Sequence, residues 1–332
     1  MENKARVVSE YKGAYKVKNE NGEFLAKVTG KQIFNAASRE DFPAVGDWVV
    51  IDELPENNAV IREILTRKTI IKKKYSSGRN DVQIVATNVD VAFVVESVGR
   101  DYNLNRFERY FSIARAGGIK PAIIINKIDL ISAEELENKL TEIKERFPDT
   151  DVICSSTLKE SGLAELKKYI ENGKTYCFLG SSGVGKSSLI NMLLGRDFIK
   201  TDEISSYSER GKHITTRRQM YFLENGGIVI DNPGMREVGM ADTIEGIDDL
   251  FDEIIKLSEN CKFKDCTHTH ESRCEVLSAV NSGKIDKEKF ENYLRLKKES
   301  DYYEMSEIEK KEKDRSFGKF LKNAKKEFKK YK

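Results

Sequence analysis

In this chain a phosphate-binding loop follows, instead of preceding, the motif that would read its nucleotide's base. Gly180-Ser181-Ser182-Gly183-Val184-Gly185-Lys186-Ser187 satisfies the G-x-x-x-x-G-K-[ST] pattern, and Ser188 leads on into an apolar helical run. Asn126-Lys127-Ile128-Asp129 has the form of a guanine-reading loop and stands upstream. The usual order is phosphate loop, Mg²⁺ aspartate, Asn-Lys-x-Asp, serine loop. Here the chain runs Asn-Lys-x-Asp, serine loop Ser155-Ser156, phosphate loop, Asp231-Asn-Pro-Gly234. The cyclic order is kept and only the cut has moved. Domain termini lie at the surface and often close together, so such a permutation preserves one fold with one site at the carboxyl ends of its strands.

Each motif has a chemical reason. Backbone N–H groups of the glycine-rich turn, with the following helix N-terminus, are suited to cradle phosphate oxygens. Lys186 is expected to neutralise β/γ-phosphate charge, and the Ser187 hydroxyl to ligate Mg²⁺. Asp231 would hold the Mg²⁺ shell, and the Gly234 N–H would sense the γ-phosphate. Taken alone, Asp-Asn-Pro-Gly is also an ordinary turn. A carboxylate at Asp129 accepts both N1–H and N2–H of guanine, whereas adenine lacks the N2 donor. Asn126 would bond the base edge and brace the loop, the Lys127 stem would lie on the base plane, and the Ser155-Ser156 backbone would meet guanine O6.

Between the phosphate loop and Asp231 lies a polar stretch, residues 200–218, poor in large apolar groups and read as a mobile switch. It contains His213, Thr215 and Thr216; either threonine could ligate Mg²⁺. Met235 stands where many GTPases carry a water-orienting glutamine. Slow intrinsic hydrolysis is therefore expected, with His213 as the catalytic candidate.

The expected fold is multidomain. Residues 1–70 read as a small β-barrel or sandwich of short strands punctuated by Gly13, Asn21-Gly22, Gly30 and Gly46-Asp47. The basic stretch Lys72 to Asn80 reads as a linker. Strands then alternate with helices, which implies a parallel sheet and a central α/β P-loop GTPase domain over residues 71–256. Residues 257–332 form a mainly helical metal-binding segment with a lysine-rich tail, in which Phe317, Phe320, Leu321, Ala324 and Phe328 recur at helical spacing.

Three of the five cysteines fall together. Cys261-x₄-Cys266-x-His268-x₅-Cys274 offers three thiolates and an imidazole, the donor set of one closed structural Zn²⁺ site, with His270 as a competing ligand. Cys154 and Cys177 sit in apolar strands and read as reduced core thiols. No apolar run approaches the roughly 20 residues of a membrane span, and the first residues lack a signal peptide's apolar core. A soluble cytoplasmic protein with no membrane partner is expected.

The permuted motif order, the N-terminal β-segment and the cysteine–histidine module together resemble the RsgA family of small-subunit-dependent GTPases over nearly the whole chain. The resemblance implies an N-terminal OB-fold, a circularly permuted GTPase domain and a C-terminal zinc domain. It implies a GTP hydrolase that acts late in assembly of the 30S subunit, contacts 16S rRNA, and is stimulated by the subunit; GTP and GDP with Mg²⁺ are the expected ligands, and a monomer is expected. His213-Ile214-Thr215-Thr216 matches the family's His-Thr-Thr-Thr run except at Ile214, and the family's catalytic histidine would be His213. A contrasting reading is an RNA-binding checkpoint protein with GTP as a regulatory ligand and incidental hydrolysis. The permutation places the Mg²⁺ aspartate just before the metal module, so nucleotide state is expected to reach Cys261–Cys274.

Overall fold

The computed structural model describes residues 3–74, 82–99, 102–158, 160–195, 218–231 and 243–305, together with Glu309, Glu312 and Arg315. Alternation of apolar and polar residues builds the first unit. In β3 (Gly22–Val28), Phe24 and Ala26 are buried while Leu25 and Lys27 are exposed, the two-residue period of a strand with one face on a core. It joins β1 (Lys4–Tyr11), β2 (Ala14–Asn19), β4 (Trp48–Leu54) and β5 (Asn58–Ile64) in the order β1-β2-β3-β5-β4, and pairing of β1 with β4 closes the barrel. Val7, Val17, Ala26, Val49 and Ile61 fill it. Between β3 and β4 lies a short helix, α1 (Gly30–Asn35), which the all-strand reading of residues 1–70 omitted. A capping box between Thr29 and Gln32 starts it, and it buries no side chain.

The linker expected at Lys72 begins as a strand instead. β6 (Ile70–Lys74) pairs antiparallel with β7 (Val82–Thr87), and Ile71 is fully buried against the central domain's core. Lysine-rich composition suggests a linker, but a strand with one buried apolar residue tolerates lysines on its other positions. Residues 75–80 of that stretch lie outside the described residues.

The central sheet has the order β10-β9-β8-β11-β13-β12. Its strands are β8 (Val91–Ser97), β9 (Lys120–Asn126), β10 (Val152–Cys154), β11 (Thr175–Leu179), β12 (Gln219–Phe222) and β13 (Ile228–Asp231). All neighbours pair parallel except β12 with β13. Strands covered on both faces are apolar throughout. In β9, Ile123 and Ile125 face the core under α2 (Leu104–Ala116) and α3 (Ala133–Arg146), while Ile124 faces the core under α4 (Glu160–Tyr169) and α5 (Lys186–Leu194). The barrel is continuous with this sheet, because Ser9 of β1 pairs with Gln219 of β12.

The C-terminal unit contains α6 (Ile244–Leu250), α7 (Asp252–Ser258), α8 (Glu275–Asn281) and α9 (Lys287–Glu304). Ile247, Phe251 and Ile254 share one apolar cluster with Cys274, Val276, Tyr293 and Leu296, so this core draws on residues before 257. It is tied to α2 by side chains. Arg109 holds Glu299 through two bonds of 2.6 and 2.7 Å. The buried Glu108 carboxylate accepts from Arg146 Nε at 2.8 Å and from the Asn292 amide. Burial pushes the Glu108 pKa up, and Arg146 and Asn292 oppose that shift.

Candidate guanine-nucleotide site and metal centre

Parallel strands deliver their carboxyl ends to one edge of the sheet. The registers Ser97 with Asn126, Cys154 with Ile125 and Leu179 with Val94 set the three motif-bearing strand ends side by side. Gly180 leaves β11 at φ +143°, and a Cβ there would meet the Val95 carbonyl oxygen at 2.3 Å. Gly185 enters α5 at φ +100°, where a Cβ would lie 2.2 Å from Asn126 Nδ2. Both positions need glycine for conformation and for space. The turn leaves Ser182 and Gly183 exposed and Val184 buried in the core beneath. Lys186 Nζ folds back to donate to the carbonyls of Gly180 and Ser181 at 2.8 and 2.6 Å. Ser187 and Ser188 follow in the first turn of α5, half-buried.

The Asn126–Asp129 loop is bonded to this turn directly. Asn126 Nδ2 donates to the Val184 carbonyl at 2.7 Å, and Lys127 Nζ to the Gly183 carbonyl at 2.7 Å. Lys127 adopts left-handed backbone, φ 61°, which turns the chain toward Asp129. Ser155 Oγ donates to Asn126 Oδ1 at 3.0 Å, and the Ser156 hydroxyl donates to Asp129 Oδ1. Ser155 and Ser156 are fully buried. Five residues from two loops thus converge with the phosphate loop at one strand-end edge. The use of Asn126 and Lys127 as ties to the phosphate loop was only half anticipated, since the sequence motif names the residues but not their backbone partners. Tyr110 of α2 was missed. Its buried hydroxyl is hydrogen-bonded to Ser181, and burial raises its pKa; helical spacing marks it only as a core-facing residue.

Asp231 ends β13, half-buried, at the same edge. Gly234, Met235, His213, Thr215 and Thr216 lie outside the described residues, as does the lysine-rich tail beyond Arg315. At the end of the expected switch, Arg218 is anchored to the barrel side. Its guanidinium donates to the Ile84 carbonyl at 2.9 Å, and its own carbonyl accepts from Ser9 Oγ at 3.3 Å.

In the C-terminal unit, Cys261, Cys266, His268 and Cys274 bring one donor atom each to within 4.8 Å of one another. Cys261 Sγ and Cys274 Sγ are 3.8 Å apart, the edge of a tetrahedron with metal–sulfur bonds of about 2.3 Å. His268 Nδ1 lies 3.7 Å from Cys261 Sγ and 3.3 Å from Cys274 Sγ. Burial lowers the His268 pKa, favouring the neutral imidazole a metal requires. Burial opposes ionisation of Cys261, but backbone N–H groups of Val276 and Glu275 bring its pKa below the usual thiol range. The competing His270 is exposed, its Nδ1 bonded to Thr269 Oγ1 at 2.8 Å, and it is outside the cluster. These four residues therefore fit a bound metal ion. Cys177 is a fully buried core thiol, while Cys154 is half-buried at its strand end.

A closed five-stranded barrel, a P-loop domain with its base-reading loop upstream, and a C-terminal cysteine–histidine cluster define a circularly permuted GTPase. A protein-family model, RsgA GTPase, matches residues 64–241. The chain is 36% identical to small ribosomal subunit biogenesis GTPase RsgA 1 of Bacteroides thetaiotaomicron, over 97% of this chain and 90% of that protein. It is 44% identical to small ribosomal subunit biogenesis GTPase RsgA of Methanosarcina acetivorans, over 76% of this chain and 69% of that protein. The crystal structure of YjeQ from Thermotoga maritima matches with a TM-score of 0.64 at 26% identity, covering 89% of this chain and 97% of that one. The structure of YloQ, a circularly permuted GTPase, matches with a TM-score of 0.64 at 25% identity, covering 92% and 97%. The chain belongs to the RsgA GTPase family, whose members are GTP hydrolases.

Proposed function

We propose that this protein is a GTP hydrolase that acts in late maturation of the small (30S) ribosomal subunit, binds its 16S rRNA, and is stimulated by the subunit. The observation that carries the reading is the direct bonding of Asn126 and Lys127 to the phosphate loop, in a chain akin to small-subunit biogenesis GTPases along most of its length.

In this reading the loop N–H groups of residues 180–188 and the Lys186 ammonium take the phosphates of GTP. Asp129, oriented by Ser156, accepts guanine N1–H and N2–H. Ser187, Asp231 and one of Thr215 or Thr216 would hold Mg²⁺, which supplies charge neutralisation at the β- and γ-phosphates. His213 orients the attacking water and takes its proton as the water oxygen bonds to the γ-phosphorus. The bond to the β–γ bridging oxygen breaks, and GDP and phosphate leave. Cys261, Cys266, His268 and Cys274 hold one structural Zn²⁺. The protein works as a cytoplasmic monomer; among the described residues no helix is long and apolar enough to cross a membrane.

The test is GTP turnover with and without purified small subunits, for wild type and His213→Ala. Stimulation of at least tenfold in wild type, lost in the variant while GTP affinity is kept, is the expected result. Turnover that small subunits leave unchanged would point instead to a checkpoint protein with incidental hydrolysis.

A further inference from the structure

Three successive residues of α2 bond other parts of the molecule. Glu108 accepts from Asn292 of α9 and from Arg146 of α3, Arg109 holds Glu299 of α9, and Tyr110 meets the phosphate loop. Tyr110 is 5% exposed, and its hydroxyl is hydrogen-bonded to the Ser181 side chain. A buried phenol hydroxyl is costly without a partner, and phenylalanine would fill the same space without that demand. Phe107, Phe111 and Ala114 of the same helix pack in that core. What tyrosine adds over phenylalanine at position 110 is the bond to Ser181.

The phosphate loop is tied at both ends. At its exit, the carbonyls of Gly183 and Val184 accept from Lys127 and Asn126. At its entry, the Ser181 carbonyl accepts from Lys186 Nζ at 2.6 Å, and the Ser181 side chain is bonded to Tyr110. A phosphate would compete for Lys186, since an ammonium bonds a charged oxygen more strongly than a carbonyl. Once Lys186 turns to a bound phosphate, Tyr110 remains to hold Ser181. Ser181 stands at the head of the N–H groups expected to cradle that phosphate, and a donor out of place bonds weakly.

α2 is clamped along the turns that carry Tyr110. Asn105 Nδ2 donates to Glu288 Oε1 at 2.9 Å, ahead of the bonds from Asn292 to Glu108 and from Arg109 to Glu299. Glu288, Asn292 and Glu299 recur at helical spacing and share one face of α9. Phe290, Tyr293 and Leu296 carry another face of α9 into the core that contains Cys274.

We propose that Tyr110 is a positioning residue for nucleotide binding, which fixes the entry of the phosphate loop through Ser181 and is itself fixed by the Arg109–Glu299 pair. The proposal rests on the reading that this loop takes the phosphates of GTP. Tyr110 touches no phosphate in this scheme; it holds the loop's donors in place before the ligand arrives.

The test is titration of full-length protein with N-methylanthraniloyl-GDP. Tyr110→Phe and Ser181→Ala should each weaken affinity about threefold to tenfold, the effect of losing one hydrogen bond. The double variant should bind no more weakly than either single one, because both changes remove the same bond. Glu299→Ala should weaken affinity in the wild-type background and have no effect in Tyr110→Phe. In GTP turnover, KM should rise in Tyr110→Phe by the factor seen for affinity while kcat holds, since a preset loop serves ground state and transition state alike. Unchanged affinity in Tyr110→Phe, additive losses in the double variant, or a fall in kcat at constant KM would overturn the proposal. So would a Glu299→Ala loss that is absent from wild type or equal in both backgrounds. Lys186→Ala separates the two readings. GDP affinity left intact by that change rejects the loop as the phosphate site. Binding lost in Lys186→Ala but equal to wild type in Tyr110→Phe rejects the positioning role alone.

Discussion

Asp129 illustrates how much of the site is carried by single atoms. Its carboxylate can choose guanine only if it is held in place, and the buried Ser156 hydroxyl, donating to Oδ1, does that. Asp129→Asn replaces an acceptor by a donor opposite guanine N1–H and N2–H. GTP affinity should fall roughly 100-fold or more, and xanthosine triphosphate, whose C2 oxygen accepts, should bind better than GTP. Equilibrium titration with both nucleotides checks this, and an unchanged preference for GTP would exclude Asp129 as the reader. At this scale the sequence was highly legible, because the spacing Asn126-Lys-Ile-Asp129 and the glycines of residues 180–185 are dictated by local backbone geometry. The partners of those side chains were not. Nothing local says that Asn126 finds the Val184 carbonyl or that Tyr110 reaches Ser181.

Among the elements, α2 joins the nucleotide domain to the C-terminal unit. Its Tyr110 touches the phosphate loop, and the adjacent Arg109 and Glu108 bond Glu299 and Asn292 of α9. α6 lies so close that a Cβ on Gly246 would meet the Ser112 carbonyl oxygen at 2.1 Å and Ala116 N at 2.7 Å. Gly246→Ala should push the two helices apart and cost about 1–3 kcal/mol. A drop of several degrees in the melting temperature with GDP affinity retained is the expected outcome; an unchanged melting curve would show the contact to be loose. Strands and long helices were readable from their periodicity. α1 and β6 were not, since six residues barely exceed one helical turn and a short strand rich in lysine has no periodic signature.

For the whole molecule, the barrel joins the central sheet through β1 and β12, and the C-terminal unit joins the central domain through α2. The C-terminal core is small, and three of its members or neighbours are cysteine ligands. Metal removal by a chelator should therefore unfold this unit, since a structural metal of this kind contributes on the order of 10 kcal/mol. Helical circular dichroism should fall and proteolysis should open residues 257–305, while the barrel and sheet persist; loss of all structure in one step would show that no part stands without the metal. The polar ties from α2 to α9 also give nucleotide state a route to the metal unit. Hydrogen exchange of residues 261–274 should differ between GDP-bound and GTP-analogue-bound protein, and identical exchange would count against that coupling.

What the sequence determined by itself was the donor chemistry: the cyclic order of motifs, the Asp129 carboxylate proposed to read guanine, and the three-cysteine, one-histidine donor set. Each is a local pattern whose residue types follow from bond geometry and charge. What only the tertiary structure decided was company. It set His268 rather than His270 beside the thiols, turned Lys127 toward the Gly183 carbonyl, and extended the barrel into the central sheet through Ser9 and Gln219. Those pairings join residues far apart in the chain, and burial and strand register select them only after the whole chain has closed on itself.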